Sequence, residues 1–72
     1  MLYIKLTTGT KYTWQVGEPK PIQYDDVNDV QEIQADGHEL IHIENMFHIS
    51  PIPKGRVIRV FGDLAKIIIG NL

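Results

Sequence analysis

The sequence predicts a mostly β fold: six or seven short antiparallel strands forming a small barrel or roll, with one helical turn near residues 25 to 29. Apolar and polar side chains alternate with a period of two in several separate stretches. Turn signals containing glycine (Thr8-Gly9, Asp36-Gly37, Gly62-Asp63) punctuate those stretches. Seventy-two residues allow a single domain, residues 1 to 72.

Leu2, Ile4 and Leu6 alternate with Tyr3, Lys5 and Thr7, and Tyr12, Trp14 and Val16 alternate with Lys11, Thr13 and Gln15. The apolar pattern selects the loop between them. A two-residue Thr8-Gly9 loop would set Ile4 against Thr13 and mix the faces. A three-residue Thr7-Thr8-Gly9 loop pairs Ile4 with Tyr12 and Leu2 with Trp14, with glycine at a left-handed position. It also sets Lys5 opposite Lys11, a like-charge pair.

Residues 17 to 21 read as a linker, because Pro19 and Pro21 cannot donate to a ladder. Val27, Val30 and Ile33 recur every third residue, as on a short helix face. Residues 30 to 35 equally suit a strand running into Asp36-Gly37. The reading adopted is a turn or single helical turn at 25 to 29, then a strand.

Two short strands follow, Leu40 to Glu44 and Phe47 to Ile49. A Glu44-Asn45-Met46 loop pairs Ile43 with Phe47 and Ile41 with Ile49, and sets His42 opposite His48. Residues 50 to 55, with Pro51 and Pro53, should break the sheet. The last expected hairpin joins Val57 to Phe61 with Leu64 to Ile69 through Gly62-Asp63, a type II′ turn. Ile58, Val60, Ala65 and Ile67 would line the barrel, and Val57, Phe61, Leu64 and Ile68 would face outward beside Arg59 and Lys66. A helix capped by Asp63 and ended by Gly70 is the competing reading, and three consecutive isoleucines argue against it.

A chain this short hides only about 60% of its unfolded surface. With no cysteine, it has no disulfide or thiolate metal site to compensate. Such composition suits a reducing compartment, and neither a spanning segment nor a secretory leader is evident. The expected setting is cytoplasmic, without membrane contact.

The net charge of -2 hides an asymmetry. Residues 25 to 44 hold seven acids (Asp25, Asp26, Asp29, Glu32, Asp36, Glu39, Glu44) and no Lys or Arg. Such a segment could meet a basic protein partner through Asp29, Glu32 and Asp36, or simply solvate its strands. Lys54, Arg56, Arg59 and Lys66 make the C-terminal region basic. With Phe61 they offer a small nucleic-acid surface, although overall acidity weighs against nucleic acid as a partner.

Other candidate chemistry is thin. His38, His42 and Glu44 share a strand face, with His48 across from His42, a set able to hold zinc or to be a solvated polar face. No zinc motif accompanies them. Ser50 lies two residues from His48 without an elbow, an oxyanion donor or a third orienting group. Asp25 and Asp26 suit helix capping better than paired-carboxylate catalysis. No cofactor motif is present.

In general look, a compact β protein rich in Ile and Lys, the chain is similar to accessory proteins of phages and other mobile elements. The expectation is a non-enzymatic protein-binding module that dimerises through Val57, Arg59, Phe61, Leu64, Lys66 and Ile68, covering the apolar outer face of the last hairpin. A small nucleic-acid-binding barrel is the alternative, and an enzyme or ligand binder built on the histidines is a third class.

Overall fold

The computed structural model describes residues 1–52 and 54–72. The elements run β1 (Leu2–Leu6), β2 (Lys11–Trp14), a 3₁₀ helix (Tyr24–Asp29), β3 (Val30–Asp36), β4 (His38–Ile43), β5 (Met46–Pro51), β6 (Val57–Phe61) and α1 (Gly62–Gly70). Strands β2-β1-β3-β6 form one antiparallel sheet in that order, and β4-β5 forms a second. The fold is mostly β, as expected, but the described strands make two sheets and no closed barrel.

The first hairpin follows the register set by its apolar pattern: Leu2 opposite Trp14, Ile4 opposite Tyr12, Lys5 opposite Lys11. Gly9 carries the positive φ of 92°. Trp14 is buried, and its indole N–H donates to the Glu18 carbonyl at 3.0 Å, tying the linker back onto β2. Ile22, at the linker's far end, is also buried. The 3₁₀ helix and the strand after it fall where the sequence puts them, with Val30, Ile33 and Ala35 on the inner face.

Asp36-Gly37 turns a corner between sheets. Gly37 has φ 72°. Its N–H and that of His38 both donate to the Arg56 carbonyl, while the Gly37 carbonyl accepts from the Ile52 N–H at 2.9 Å. The chain thus leaves one sheet for the other with its backbone groups paired.

The second hairpin corrects the expected register. Its loop is two residues, Glu44 (φ 52°) and Asn45 (φ 63°), both left-handed as a type I′ turn requires. Ile43 therefore meets Met46, His42 meets Phe47, and Ile41 meets His48. The apolar pattern does not decide here: the observed register sets Ile41 against His48 and His42 against Phe47, mixing types that the expected register kept apart, and the two-residue turn prevails. β5 also runs through Ser50 to Pro51, which sits opposite His38 at the ribbon's end. Pro53 lies outside the described residues.

The largest correction is at the C-terminus. Gly62-Asp63 does not close a hairpin; the chain continues as a nine-residue helix. Gly62, with φ 60°, allows the strand to turn into it. Ala65, Ile68 and Ile69 are buried, a spacing of three and four that only a helix places together. The isoleucines' preference for strands is worth a few tenths of a kcal/mol each. Burying Ile68 and Ile69 is worth about 1.5–3 kcal/mol apiece, so packing decides.

α1 lies over the inner face of the sheet and against β5. Leu2, Ile4, Leu6, Trp14, Ile33 and Val60 of the sheet share one core with Ala65, Ile68, Ile69 and Ile49. Asn71 donates its side-chain amide to the Phe47 carbonyl at 3.2 Å, and Lys20 reaches the Ile69 carbonyl at 3.0 Å. The opposite face of the four-stranded sheet carries no helix or strand among the described residues. No described helix is long and apolar enough to cross a membrane.

Candidate functional site

The period of two that buries Leu2, Ile4, Ile33 and Val60 must turn their neighbours to the other side. Register then fixes their arrangement. One row across the open face reads Thr13, Tyr3, Gln34, Arg59, and the next reads Lys11, Lys5, Glu32, Phe61. Asp36 and Val57 continue it at one end. A shallow depression of about 490 Å³ lies over the first rows, lined by Tyr3, Lys5, Lys11, Thr13, Gln34 and Arg59 among others.

The edge strand β6 adds a second feature. Asp36 donates its N–H to the Met1 carbonyl, so Asp36, Gln34 and Glu32 point their backbone groups at β1. Ala35 and Ile33 consequently bond to Ile58 and Val60 of β6. The backbone N–H groups of Val57, Arg59 and Phe61 are left pointing away from the sheet. Their side chains stand on the open face, with Val57 54% and Phe61 58% exposed. The other edge, β2, is four residues long, begins with Lys11 and is folded over by the linker at Trp14 and Glu18, the usual blunting of an edge.

The chain matches no family model, no curated protein and no solved structure.

The expected partner-binding set is divided by the helix. Val57, Arg59 and Phe61 are together and exposed on β6. Leu64 is half-buried, and Ile68 is fully buried in the core, so neither belongs to an outer face. Lys66 lies on α1 and pairs with Asp63 at 3.7 Å, one turn along the helix. It is Ile67, assigned inward by the hairpin reading, that is 47% exposed.

The acidic segment spreads over three places. Asp25, Asp26 and Asp29 lie on the 3₁₀ helix, Glu32 and Asp36 on the open face of β3, and Glu39 and Glu44 on the second hairpin. Asp29 and Asp36 stand at opposite ends of β3.

The histidines do not converge. His38 is buried, its Nδ1 2.8 Å from the Asp36 carbonyl at the corner. His42 stacks on Phe47 with ring centroids 4.6 Å apart. His48 sits opposite Ile41. Among the described residues no group of three His, Asp or Glu side chains could hold a metal. Ser50 and His48 do share a face of β5, where Ser50 meets Glu39 and His48 meets Ile41.

The edge donors of β6 and the continuous row from Lys11 to Phe61 are features that sequence reasoning missed. Strand order creates both. The alternation of Tyr3, Lys5, Arg59 and Phe61 was visible, but nothing local says that β3 lies between β1 and β6.

Proposed function

We propose that this chain is a non-enzymatic protein-binding module that associates with a second copy of itself through the edge of β6. The observation that carries the reading is the row of outward-pointing N–H groups at Val57, Arg59 and Phe61, flanked by exposed apolar side chains. An unpaired edge of this length is a template for another strand. A two-fold axis through β6 would join two four-stranded sheets into one of eight.

Charge narrows the register. With Arg59 on the axis, two guanidiniums would face each other across the pair, which is unfavourable. A shift of two residues puts Val60 on the axis and each Arg59 opposite Phe61 of the second copy. There the guanidinium can lie over the ring, a contact worth about 0.5–1 kcal/mol at an exposed site. The setting in this reading is the cytoplasm, which a chain without cysteine suits.

Sedimentation equilibrium at micromolar concentration tests it, with a dimer expected. Phe61→Asp should shift the protein to monomer with its circular dichroism spectrum intact. Arg59→Pro should do the same, because that N–H takes no part in the ladder with β3 and proline is tolerated on edges. A wild-type monomer at high concentration, or a dimer that survives both substitutions, would refute the edge-to-edge reading.

A further inference from the structure

The open face also holds charge in an arrangement the fold does not need. Lys5 stands directly opposite Lys11, and both are exposed. Like charges so placed are destabilising. The pair cannot slip apart, because a one-residue shift would turn Leu2, Ile4 and Trp14 out of the core. Arg59 joins them on the same face. Glu32 is beside Lys5 in register, yet among the described residues the only ion pair within 4.0 Å is Lys66 with Asp63. The face carries three cations against Glu32 and Asp36, although the whole chain is negative. The remaining acids lie on other elements.

Aromatic rings are interleaved with those cations. Tyr3, 42% exposed, lies two residues from Lys5 on β1; Phe61 lies two residues from Arg59 on β6. β1 and β6 both pair antiparallel to β3, so they run parallel to each other. Tyr3 is then level with Arg59, and Lys5 with Phe61. The four form a rectangle with rings and cations at alternate corners, around Gln34 and Glu32. From strand and residue spacings the two rings are about 12 Å apart.

From this juxtaposition we infer that the open sheet face binds single-stranded nucleic acid, with one base on Tyr3, another on Phe61, and the phosphates at Lys5, Lys11 and Arg59. Stacking platforms interleaved with cations are how unpaired strands are held. Gln34 and Glu32 lie between the rings, where a base rather than a phosphate must pass. Glu32 repels phosphate but accepts hydrogen bonds from a base amino group, as on cytosine. A duplex is the poorer fit, because the face presents neither a helix nor a projecting ribbon to enter a groove. An acidic polypeptide would use the lysines and leave both rings without a role, while the Gln34 amide already donates to the Asp36 carboxylate at 3.5 Å. This inference does not rest on self-association, and its decisive residues, Tyr3, Lys5 and Lys11, are away from the β6 edge.

Fluorescence anisotropy of labelled twelve-nucleotide oligo-dC and oligo-dT, with poly-glutamate as competitor, tests it on the full chain. Binding should be tighter to oligo-dC and resist poly-glutamate. Three neutralised phosphates give a salt slope of about -2, so affinity should fall roughly twentyfold between 50 and 200 mM salt. Tyr3→Ala should weaken binding by about five- to a hundredfold. Tyr3→Leu, which keeps apolar volume without a ring, guards against an unfolded variant and should weaken binding too. Lys5→Gln and Lys11→Gln should each lower the slope by about 0.7. No binding at 50 mM salt overturns the inference. So does binding indifferent to both Tyr3 variants, and equal displacement by poly-glutamate would assign the face to acidic protein instead.

Discussion

Trp14 shows how much one side chain can settle. It anchors the inner face opposite Leu2 and also donates to the Glu18 carbonyl, so it fixes both the first hairpin and the linker beyond it. Trp14→Ala should cost about 3–5 kcal/mol, a large share of what so small a domain possesses. The expected outcome is a chain largely unfolded at 25 °C by near-ultraviolet circular dichroism. Trp14→Phe keeps most of the volume and loses the hydrogen bond, worth about 1 kcal/mol. Its melting curve should stay cooperative and move down by a few degrees. Trp14's burial was legible because alternation with Tyr12 and pairing with Leu2 gave the same answer. The environment of His38 was not. Even spacing put it with His42 and Glu44, whereas the corner at Gly37 carries it into the interior beside the Asp36 carbonyl.

Among the elements, the helix and the second turn test the fold most directly. Ile68 is buried and its neighbour Ile67 is exposed. Ile68→Asp should unfold the protein, while Ile67→Asp should leave its urea midpoint nearly unchanged. In a two-stranded hairpin the two would be reversed. The helix was hard to read because Gly62-Asp63 is good chemistry for a hairpin as well as a workable helix entry. Only the core on the far side of α1 decides between them. At the second turn, Glu44 holds φ 52°, a conformation that costs an ordinary side chain about 1 kcal/mol. Replacing Glu44-Asn45 by Asn-Gly, the preferred pair for this turn, should stabilise the protein by about 1 kcal/mol in urea titration. A three-residue loop, as the sequence first suggests, would gain nothing from that change. The first hairpin was legible where the second was not, since only β1 and β2 have one polar face to fix the register.

For the molecule as a whole, period-two patterning forecast the strand content and left strand order open. β3 is the hub: it pairs with β1 on one side and β6 on the other, and α1 packs across it. Local alternation specifies which way side chains face, not which strand lies next to which, and the same alternation suits a barrel as well as this open sheet. The same ordering brings Tyr3 and Lys5 into line with Arg59 and Phe61 from opposite ends of the sequence. If two copies pair along β6, their open faces become continuous, with both Phe61 rings near the axis. Oligonucleotide affinity should then rise with protein concentration for strands long enough to cross the axis. Phe61→Asp should abolish that dependence and lower affinity, while Tyr3→Ala should lower affinity and leave the dimer intact.

The corner at Gly37 bears on how the molecule opens. A two-stranded ribbon is at best marginal on its own, and this one is held by the contacts of β5 with α1 and of β4 with β6 and by the bonds to the Arg56 carbonyl. The four-stranded sheet has its own ladder and most of the buried apolar residues. The ribbon should therefore detach as a unit, hinging at Gly37, without the sheet coming apart. In deuterated solvent the amides of β4 and β5 should exchange together and early, and those of β1 and β3 only with global unfolding. Gly37→Ala, with open space for the added methyl and only the left-handed backbone penalty of about 1–2 kcal/mol, should hasten exchange in the ribbon. The central strands should follow only so far as overall stability falls.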